Sequence, residues 1–377
     1  MAANGGIKIS LLMGIAPLPV PSMVVEALSS VKIDAGSSDS QSGFELTFDL
    51  SARSPVHTLF LLASGTTTPV VRVIMMVQIG GLIEPLIDGV VTNVETMPGT
   101  GGVTQLVVKG KDMSAMMDID EVKGRSYPAM SPHIRVLSIL KDYEGLGIFP
   151  IVIPSPVDYI PLPTAQIPQH DGTDYEYLKD LAFKCGYVFH VQPSPAPGAS
   201  IAYWGPEIRV GIPQAALSVN MDAITNVEDL KFNFDKEKVK YAPFVYVQNP
   251  ANMKTEALPL PDTRGVTVPL GLVPPLPRRV SYLRNTAHMA PPNAYMYGIA
   301  MARQHNDSVF GSGSLDVSRY GRVLKSRQLV GVRGAGLVFD GLYYVQTVTH
   351  DIKRGEYKQT FTLARNGLLP TVPLVRV

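Results

Sequence analysis

The chain has little cysteine, little charge and no long apolar run. Cys185 is the only cysteine among 377 residues, so no internal disulfide can form and a reducing compartment is compatible with the chain. Because its neighbours are mainly apolar or aromatic, we expect a buried thiol and not a reactive one. Charged residues make up 17%, with 33 basic and 32 acidic side chains. This balance provides no electrostatic footprint for nucleic acid or acidic lipid.

The most apolar stretch is residues 7–27, and it contains Pro17, Pro19 and Pro21. These prolines argue against a spanning helix and against a secretory core, which is continuous. No other run of about 18 apolar residues exists. We therefore expect no direct membrane insertion, and assembly in the cytoplasm of the producing cell.

The sequence also lacks recognisable catalytic patterns. Its seven histidines are scattered, and none has the spacing of a metal site. The segment Gly311–Ser314 has neither the nucleophile-elbow pattern nor that of a phosphate loop. His350 precedes Asp351 in a strand-like segment, where a hydrogen-bonded structural histidine is expected. We predict no enzyme activity, no metal and no cofactor.

Glycine and proline are abundant, with 33 and 32 residues, and they punctuate the chain like a β protein. The last quarter contains strand-like segments at residues 329–332, 342–351 and 356–364, with Asp340-Gly341 predicted as a hairpin turn. In the last of these, Tyr357 and Phe361 share one face with other large residues. We expect residues 343–349 and 359–363 to be paired neighbours in one sheet.

The predicted fold class is mainly β with α insertions. Residues 1–110 contain six or so strands, among them 43–51 with a clear period of two, which residues 23–34 could pair with. Residues 111–206 form a helical or mixed connecting region. Residues 207–377 return to strands, with a Pro-rich loop, a helix at 294–310 and a closing meander at 318–367.

A capped helix is the sharpest local signal in the middle region. Thr173 or Asp174 is placed to cap its start, and Gly186 its end. A strand and a Trp-Gly element follow. The residues that carry this pattern are Asp174, Glu176, Tyr177, Leu178, Leu181, Ala182, Gly186, Tyr187, Trp204 and Gly205.

This order of elements resembles the late control protein D family of contractile phages, whose helix has the form D-x-E-F-L-x-x-L-A-x-x-x-G-Y. The N-terminal segments 43–48 and 53–55 fit the same group. The closing segment is similar to hub proteins of phage-tail-like contractile injection systems and to the N-terminal hub of valine-glycine repeat proteins. The closing residues that carry the similarity are Gly334, Gly336, Asp340, Gly341, Tyr343, Tyr344, His350, Tyr357 and Phe361.

The resemblance implies a structural baseplate hub with two tube-protein-like β-barrel domains flanking the smaller helical region. Three copies would form a pseudo-sixfold ring that adapts a hexameric inner tube to a trimeric spike. The implied partners are further copies of the chain (a homotrimer), a spike protein below, inner tube or tube-initiator proteins above, and baseplate wedge components. The sequence contains no needle-like repeat, so the resemblance implies a separate spike polypeptide.

One alternative stays open at the level of sequence, a β-rich carbohydrate-binding or cell-wall-processing protein. Tyr203 and Trp204 could serve such a protein as an exposed aromatic platform. Burial of Trp204 in a core would favour the hub instead. For a hub, the polar faces of strands such as 44–51 are candidates for the wall of a channel.

Overall fold

A computed structural model describes residues 2–3, 6–14, 17–36, 41–50, 70–98, 104–155, 160–164, 167–249, 253–261, 268–276, 279–280, 282–283, 286–287 and 289–371. The fold is mostly antiparallel β with a few short helices, so the predicted class, mainly β with α insertions, is confirmed. Arg53-Ser54-Pro55, part of the N-terminal resemblance, lies outside the described residues.

Strands dominate the N-terminal third because apolar and polar residues alternate along them. In β5 every second side chain is buried, from Phe44 to Leu50. The elements of this third are β1 Ala2–Ala3, β2 Ile7–Gly14, β3 Leu18–Pro19, α1 Ser22–Ala27, β4 Leu28–Gly36, β5 Gly43–Leu50, β6 Arg72–Ile79, β7 Leu82–Pro98 and β8 Thr104–Asp112.

Of the predicted strand at residues 23–34, only residues 28–34 pair with the strand predicted at 43–51. Strand β4 pairs with β5, but Ser22–Ala27 is a helical turn. Pro21 supplies the carbonyl that accepts the first hydrogen bond, from the amide of Val24 at 3.0 Å. A proline immediately before a helix loses nothing by lacking an amide hydrogen, and this favours the turn over a longer strand.

The middle region combines helices with a small sheet of order β10-β11-β9. Met113 and Met117 are buried in a 3-10 turn, as expected for gap-filling methionines. The elements are a 3-10 helix Met113–Met117, α2 Pro132–Leu140, a 3-10 helix Lys141–Leu146, β9 Ile148–Val152, α3 Asp174–Lys184, β10 Val188–Pro193 and β11 Ser200–Gly205.

The C-terminal part again consists mainly of strands. Its elements are β12 Gln214–Ser218, a 3-10 helix Asp222–Ile224, β13 Asp229–Phe234, β14 Lys240–Tyr241, β15 Phe244–Gln248, β16 Thr255–Pro259, β17 Gly271–Val273, β18 Arg279–Val280, α4 Pro291–Gln304, β19 Val309–Asp316, α5 Val317–Tyr320, β20 Leu329–Arg333, β21 Gly341–Lys353, β22 Glu356–Arg365 and β23 Leu368–Pro370.

Two predictions in this part are wrong in detail. The helix expected at 294–310 ends at Gln304, and Val309 already belongs to β19. The glycines of β19 lie under aromatic rings: a Cβ on Gly311 would meet the ring of Phe232 at 2.9 Å. The glycines of β19 therefore leave space for aromatic rings within a strand, although glycines at this spacing predict a loop from the sequence alone.

The second error concerns Asp340-Gly341, which is not a two-residue hairpin. Gly341 is already the first residue of β21, and the connection from β20 is the longer loop 334–340. The Asp340 carboxylate accepts the amide of Ala335 at 2.8 Å, which closes that loop. The tight turn lies instead at Arg354-Gly355, between β21 and β22, as the sequence predicts for that position.

The same five-strand antiparallel order occurs twice in the chain. We call β4 to β8 the first strand set, with sheet order β6-β7-β8-β5-β4. The second strand set has the order β20-β21-β22-β19-β13. In both sets the two strands that come first along the chain end up last in the sheet. The elements β14 to β18 and α4 are inserted within the second set.

The two strand sets form one continuous sheet, because β4 pairs with β21. They also share one hydrophobic core, in which Leu46 and Ile33 of the first set and Val348 and Phe361 of the second are all buried. The middle region has a separate core around Trp204.

Candidate functional site: the joint between the two strand sets

The antiparallel pairing of β4 with β21 is the joint between the two strand sets. It extends from Thr347 opposite Gly36 to Lys353 opposite Ser30. The Thr349 hydroxyl donates to the Asp34 carboxylate at 2.6 Å. These segments are more than 300 residues apart in the chain. The joint therefore fixes the position of the N-terminal strand set relative to the C-terminal one.

Gly36 ends the joint at a point of close approach. Its φ is +106°, and a Cβ there would lie 2.3 Å from the carbonyl oxygen of Gln346. Gln346 is the bulged residue of β21, where the register against β22 shifts between Val345 and Thr347. Glycine is therefore needed for both its backbone angle and its lack of a side chain.

His350 is one of the paired residues of the joint, opposite Ile33, and its side chain is part of a buried polar network. Its Nδ1 is 2.7 Å from the Tyr357 hydroxyl and 3.3 Å from Nε2 of Gln359. The Gln359 carboxamide in turn donates to the Leu324 carbonyl and accepts the Leu324 amide, each at 2.9 Å. Nε2 of Gln359 can only donate, so Nδ1 is the acceptor and the neutral ring carries its proton on Nε2; the Tyr357 hydroxyl then donates to Nδ1 as well.

Burial lowers the pKa of His350 to about 4, and the nearby Asp34 carboxylate only partly opposes the shift. The histidine is therefore neutral at neutral pH. The prediction of a hydrogen-bonded strand histidine is confirmed, and Gln359, which donates to His350, also binds the segment that contains Leu324.

The polar face of the joined sheet has a row of alternating charges. The row is defined by successive cross-strand partners, which share a face of a sheet. It crosses six strands from β19 to β8, and we call it the charge ladder: Asp316, Lys358, Asp351, Lys32, Glu45 and Lys109. The formal charges of this row cancel, so the row itself is hydrated and nearly neutral.

Arg365 and one of the predicted residues of the closing segment, Tyr343, support the loop 334–340. Arg365 is fully buried and donates to three carbonyls, those of Val338, Asp340 and Gly367, at 2.6 to 2.8 Å. Its guanidinium lies 4.5 Å from the centroid of the Tyr343 ring. The Tyr343 hydroxyl donates to the Phe339 carbonyl at 2.7 Å.

The remaining closing residues have conformational or packing roles. Gly334, Gly336 and Gly341 all have positive φ. Tyr344 is buried beneath Arg209, which lies 5.0 Å from its ring centroid. Tyr357 and Phe361 belong to the shared core. Residues 344–349 pair directly with 360–364, which confirms the expected neighbours in one sheet.

Helix α3 has both ends that the sequence predicts. Thr173 and Glu176 form a capping box, with a 3.2 Å bond from the Glu176 amide to the Thr173 hydroxyl. At the other end the Tyr187 amide bonds the Ala182 carbonyl, and Gly186 has a φ of +71°. This is a Schellman motif, in which glycine avoids the penalty of the left-handed conformation.

The buried face of α3 packs around Trp204. Leu178 and Leu181 lie in the same core, and the Trp204 indole donates to the Leu178 carbonyl at 3.3 Å. Tyr187 meets the indole edge-on at 4.9 Å. Asp174 accepts a hydrogen bond from the Tyr143 hydroxyl at 2.7 Å, and burial, together with this bond, raises the pKa of Tyr143.

Gly205 follows Trp204 where a side chain does not fit, because a Cβ would lie 2.7 Å from the Tyr203 hydroxyl. Trp204 is fully buried and Tyr203 nearly so. The predicted residues therefore form two groups in separate cores, the α3 group and the closing group, and not one site.

Sequence reasoning missed the contact that fixes the middle region to the first strand set. Arg72 binds Asp88 through two bonds of 2.7 Å, and its other hydrogens reach the carbonyls of Leu146 at 2.8 Å and Gly198 at 3.0 Å. Ser200 donates to the same Asp88 carboxylate at 3.0 Å. We call this the arginine clamp. No short-range pattern marks it, because its hydrogen-bonded partners are up to 126 residues apart.

The described residues contain no group of three histidine, cysteine or carboxylate side chains placed to hold a metal ion. Cys185 is buried, as expected.

A cavity of about 240 Å³ lies beneath the joint, with Asp112 and His350 among its lining residues. The Asp112 carboxylate accepts hydrogen bonds from the backbone amides of Ser42 and Ser114 at 2.7 and 2.9 Å, so its role is to bind the backbone. None of the helices in the described ranges is long and apolar enough to cross a membrane.

No protein-family model matches the sequence, and no curated protein matches it either. Solved structures do match along nearly the whole chain. A tail protein from Neisseria meningitidis is 11% identical with a TM-score of 0.61, and 96% of this chain aligns with 98% of that one. The 43 kDa tail protein of prophage MuSo2 from Shewanella oneidensis is 13% identical with a TM-score of 0.60 and the same coverage.

A third match is a chain of the Francisella PdpA-VgrG complex, at 11% identity and a TM-score of 0.61. It covers 98% of this chain but only 54% of the Francisella chain. At these identities the likeness concerns the fold, and the chain has the fold of phage tail proteins and of a chain from a complex with VgrG. The resemblance to phage-tail-like proteins noted in the sequence is confirmed at this level.

Proposed function

We propose that the chain is the baseplate hub of a contractile injection system, in which three copies form a pseudo-sixfold ring between a hexameric tube and a trimeric spike. The observation that carries the proposal is the repeated five-strand order within a chain that shares its fold, end to end, with phage tail proteins. Two similar units in one chain give six units in a trimer. This is the match that a threefold spike and a sixfold tube require.

The polar face of the joined sheet suits the wall of the channel in that ring. The charge ladder alternates in sign, so cargo in the channel would meet a hydrated row of charges, with Met97 as an exposed apolar side chain of the same face at 39% exposure. We assign the domains as predicted from the sequence, 1–110 and 207–377 as the tube-like units and 111–206 as the connecting region.

The role proposed is structural, with no cofactor and no catalytic step. The partners are further copies of the chain, the spike below, tube or tube-initiator proteins above and wedge components around it, and the particle assembles in the cytoplasm of the producing cell. The carbohydrate-binding alternative depended on an aromatic platform at Trp204, and burial of that ring in the middle core removes its support.

Imaging of the assembled particle tests this function. Particles carrying a tagged copy of the chain are expected to show threefold density for it where the tube meets the spike. Three copies of the 40.8 kDa chain should be present at each junction of tube and spike. Tagged density located elsewhere, or a particle that assembles with tube and spike joined in the absence of the chain, would refute the hub assignment.

A further inference from the structure

The two strand sets correspond residue by residue around the joint. Strand β7 has a bulge at Thr92, where its register against β8 shifts between Val91 and Asn93. Strand β21 has a bulge at the same place in its own set, at Gln346 against β22. The shared bulge aligns Thr92 with Gln346, and hence residues 93–98 with 347–352.

The same alignment extends to the strand at the other end of each set. Through the pairings of β8 with β5 and of β22 with β19, Lys32 of β4 corresponds to Lys231 of β13. In both strands the residues on either side of the lysine point to the core, Val31 and Ile33 in β4 and Leu230 and Phe232 in β13.

Among the described residues, one of the two possible joints of this kind is made within the chain. Strand β4 of the first set pairs with the C-terminal half of β21 in the second. The counterparts are β13 and the C-terminal half of β7, residues 92–98. On the sides that correspond to the joint, neither has a strand partner among the described residues.

The core-facing side chains of the paired strands are more deeply buried than those of the unpaired strands. In the joint, Val31, Ile33, Val348 and Ile352 are fully buried. The corresponding core-facing side chains of β13 and β7, including Leu230, Phe232 and Val94, are only partly buried. A strand edge with half-covered apolar residues is an unsatisfied surface.

Two other edges of the sheet are blocked by the chain itself. The carboxamide of Asn226 donates to the Ala216 carbonyl and accepts the Ser218 amide, at 2.9 and 2.7 Å, and so occupies the edge of β12. The edge of β2 is paired at its two ends with β1 and β3. Such blocking prevents unwanted strand addition, and β13 has no comparable block among the described residues.

We propose that β13 of one copy pairs antiparallel with residues 92–98 of β7 in the next copy, so that the joint within the chain is repeated between chains. The occupant of both open edges is thus a second copy of this protein. This inference rests on the proposed function for the number of copies, and it assigns the contact that closes the ring.

The register follows from the correspondence with the joint. Thr349 opposite Asp34 becomes Glu95 opposite Asn233 of the next copy, and Val348 opposite Ala35 becomes Val94 opposite Phe234. In this register Phe232 and Phe234 extend the apolar core across the contact. Glu95 lies diagonally from Lys231, a favourable charge pair at cross-strand distance.

Disulfide formation tests the register directly, because Cys185 is buried and the only cysteine in the chain. Directly opposed residues of neighbouring strands have Cβ atoms about 5 Å apart, close enough for a disulfide after small adjustment. The test variant is E95C/N233C. Its matched control is T349C/D34C, the same pair within the chain, and the register control is E95C/D229C, displaced by four residues.

After mild oxidation of the full-length protein, E95C/N233C is expected to run as covalent dimers and trimers on a non-reducing gel. T349C/D34C should form its disulfide within one chain and run as a monomer. E95C/D229C should give at least tenfold less cross-linked product. Absence of cross-links between chains in E95C/N233C, or equal cross-linking in E95C/D229C, would overturn the proposed contact.

The two proposals fail separately. If E95C/N233C cross-links into trimers but particle images place the chain away from the tube–spike junction, the contact stands and the hub function falls. If the chain lies at that junction as a threefold ring while E95C/N233C stays monomeric, the hub function stands and this contact is wrong.

Discussion

At the scale of single residues, the buried histidine gives the molecule a defined response to acid. His350 has a pKa of about 4 in the folded protein, below the ordinary value of 6.5. Between these two values the unfolded chain binds a proton that the folded chain does not. Acidification from pH 6.5 to pH 4 therefore favours unfolding, by about 3 kcal/mol from this residue.

We expect urea denaturation at a series of pH values to show this loss in the wild type. H350Q should be less stable at neutral pH, since it changes the bond to Tyr357, but its stability should fall less steeply below pH 6.5. His190, whose pKa burial also lowers, to about 3, remains in both proteins and serves as the internal reference. Equal slopes for wild type and H350Q would contradict the assignment.

Gly36 is the residue on which the joint depends most sharply. In G36A the new methyl group would meet the Gln346 carbonyl at 2.3 Å, in a backbone conformation that alanine disfavours. We expect a loss of at least about 2 kcal/mol in thermal or urea unfolding. G81A is the matched control, because Gly81 has a φ of +86° with no atom within 4 Å of the added Cβ. A loss in G36A no larger than that in G81A would mean that the contact with Gln346 is easily relieved.

At the scale of elements, the arginine clamp joins the middle region to β6 and β7. The Asp88 side chain is only 1% exposed, so removal of Arg72 would leave a buried carboxylate without its cation. We predict that R72M lowers the free energy of unfolding by about 3 kcal/mol. Hydrogen exchange at the amides of residues 146–148 and 198–200 should also become faster.

The control for the clamp is K325M, which removes a more exposed ion pair between Lys325 and Glu84. Such a pair contributes less than about 1 kcal/mol. If R72M and K325M have the same effect, the clamp does not hold the middle region in place.

Elements with strong local patterns could be predicted from sequence, and their partners could not. The period of two in β5 and the capping box of α3 are encoded within a few residues, and both are confirmed. By contrast, no local pattern indicates that β4 pairs with β21 more than 300 residues away. The glycines of β19 signal a loop locally, but they form a strand because aromatic side chains fill the space above them.

At the scale of the whole molecule, a shared core makes the two strand sets mechanically dependent on each other. Residues from both sets pack in that core, whereas Trp204 and its neighbours form the separate core of the middle region. The two strand sets should therefore unfold together even though their sequences lie at opposite ends of the chain.

Hydrogen exchange of two core variants checks the coupling. Val348 lies on β21 at the joint and is fully buried, so V348A should cost about 2 kcal/mol through the cavity it leaves. We expect exchange to become faster to the same extent in β5 of the first set and in β22 of the second. L178A removes an equally buried side chain from the middle core and should accelerate exchange in α3 while β5 and β22 stay protected. If V348A makes exchange faster in β22 alone, the pairing of β4 with β21 does not couple the two strand sets, and the ring proposed from repeats of that pairing would not be rigid.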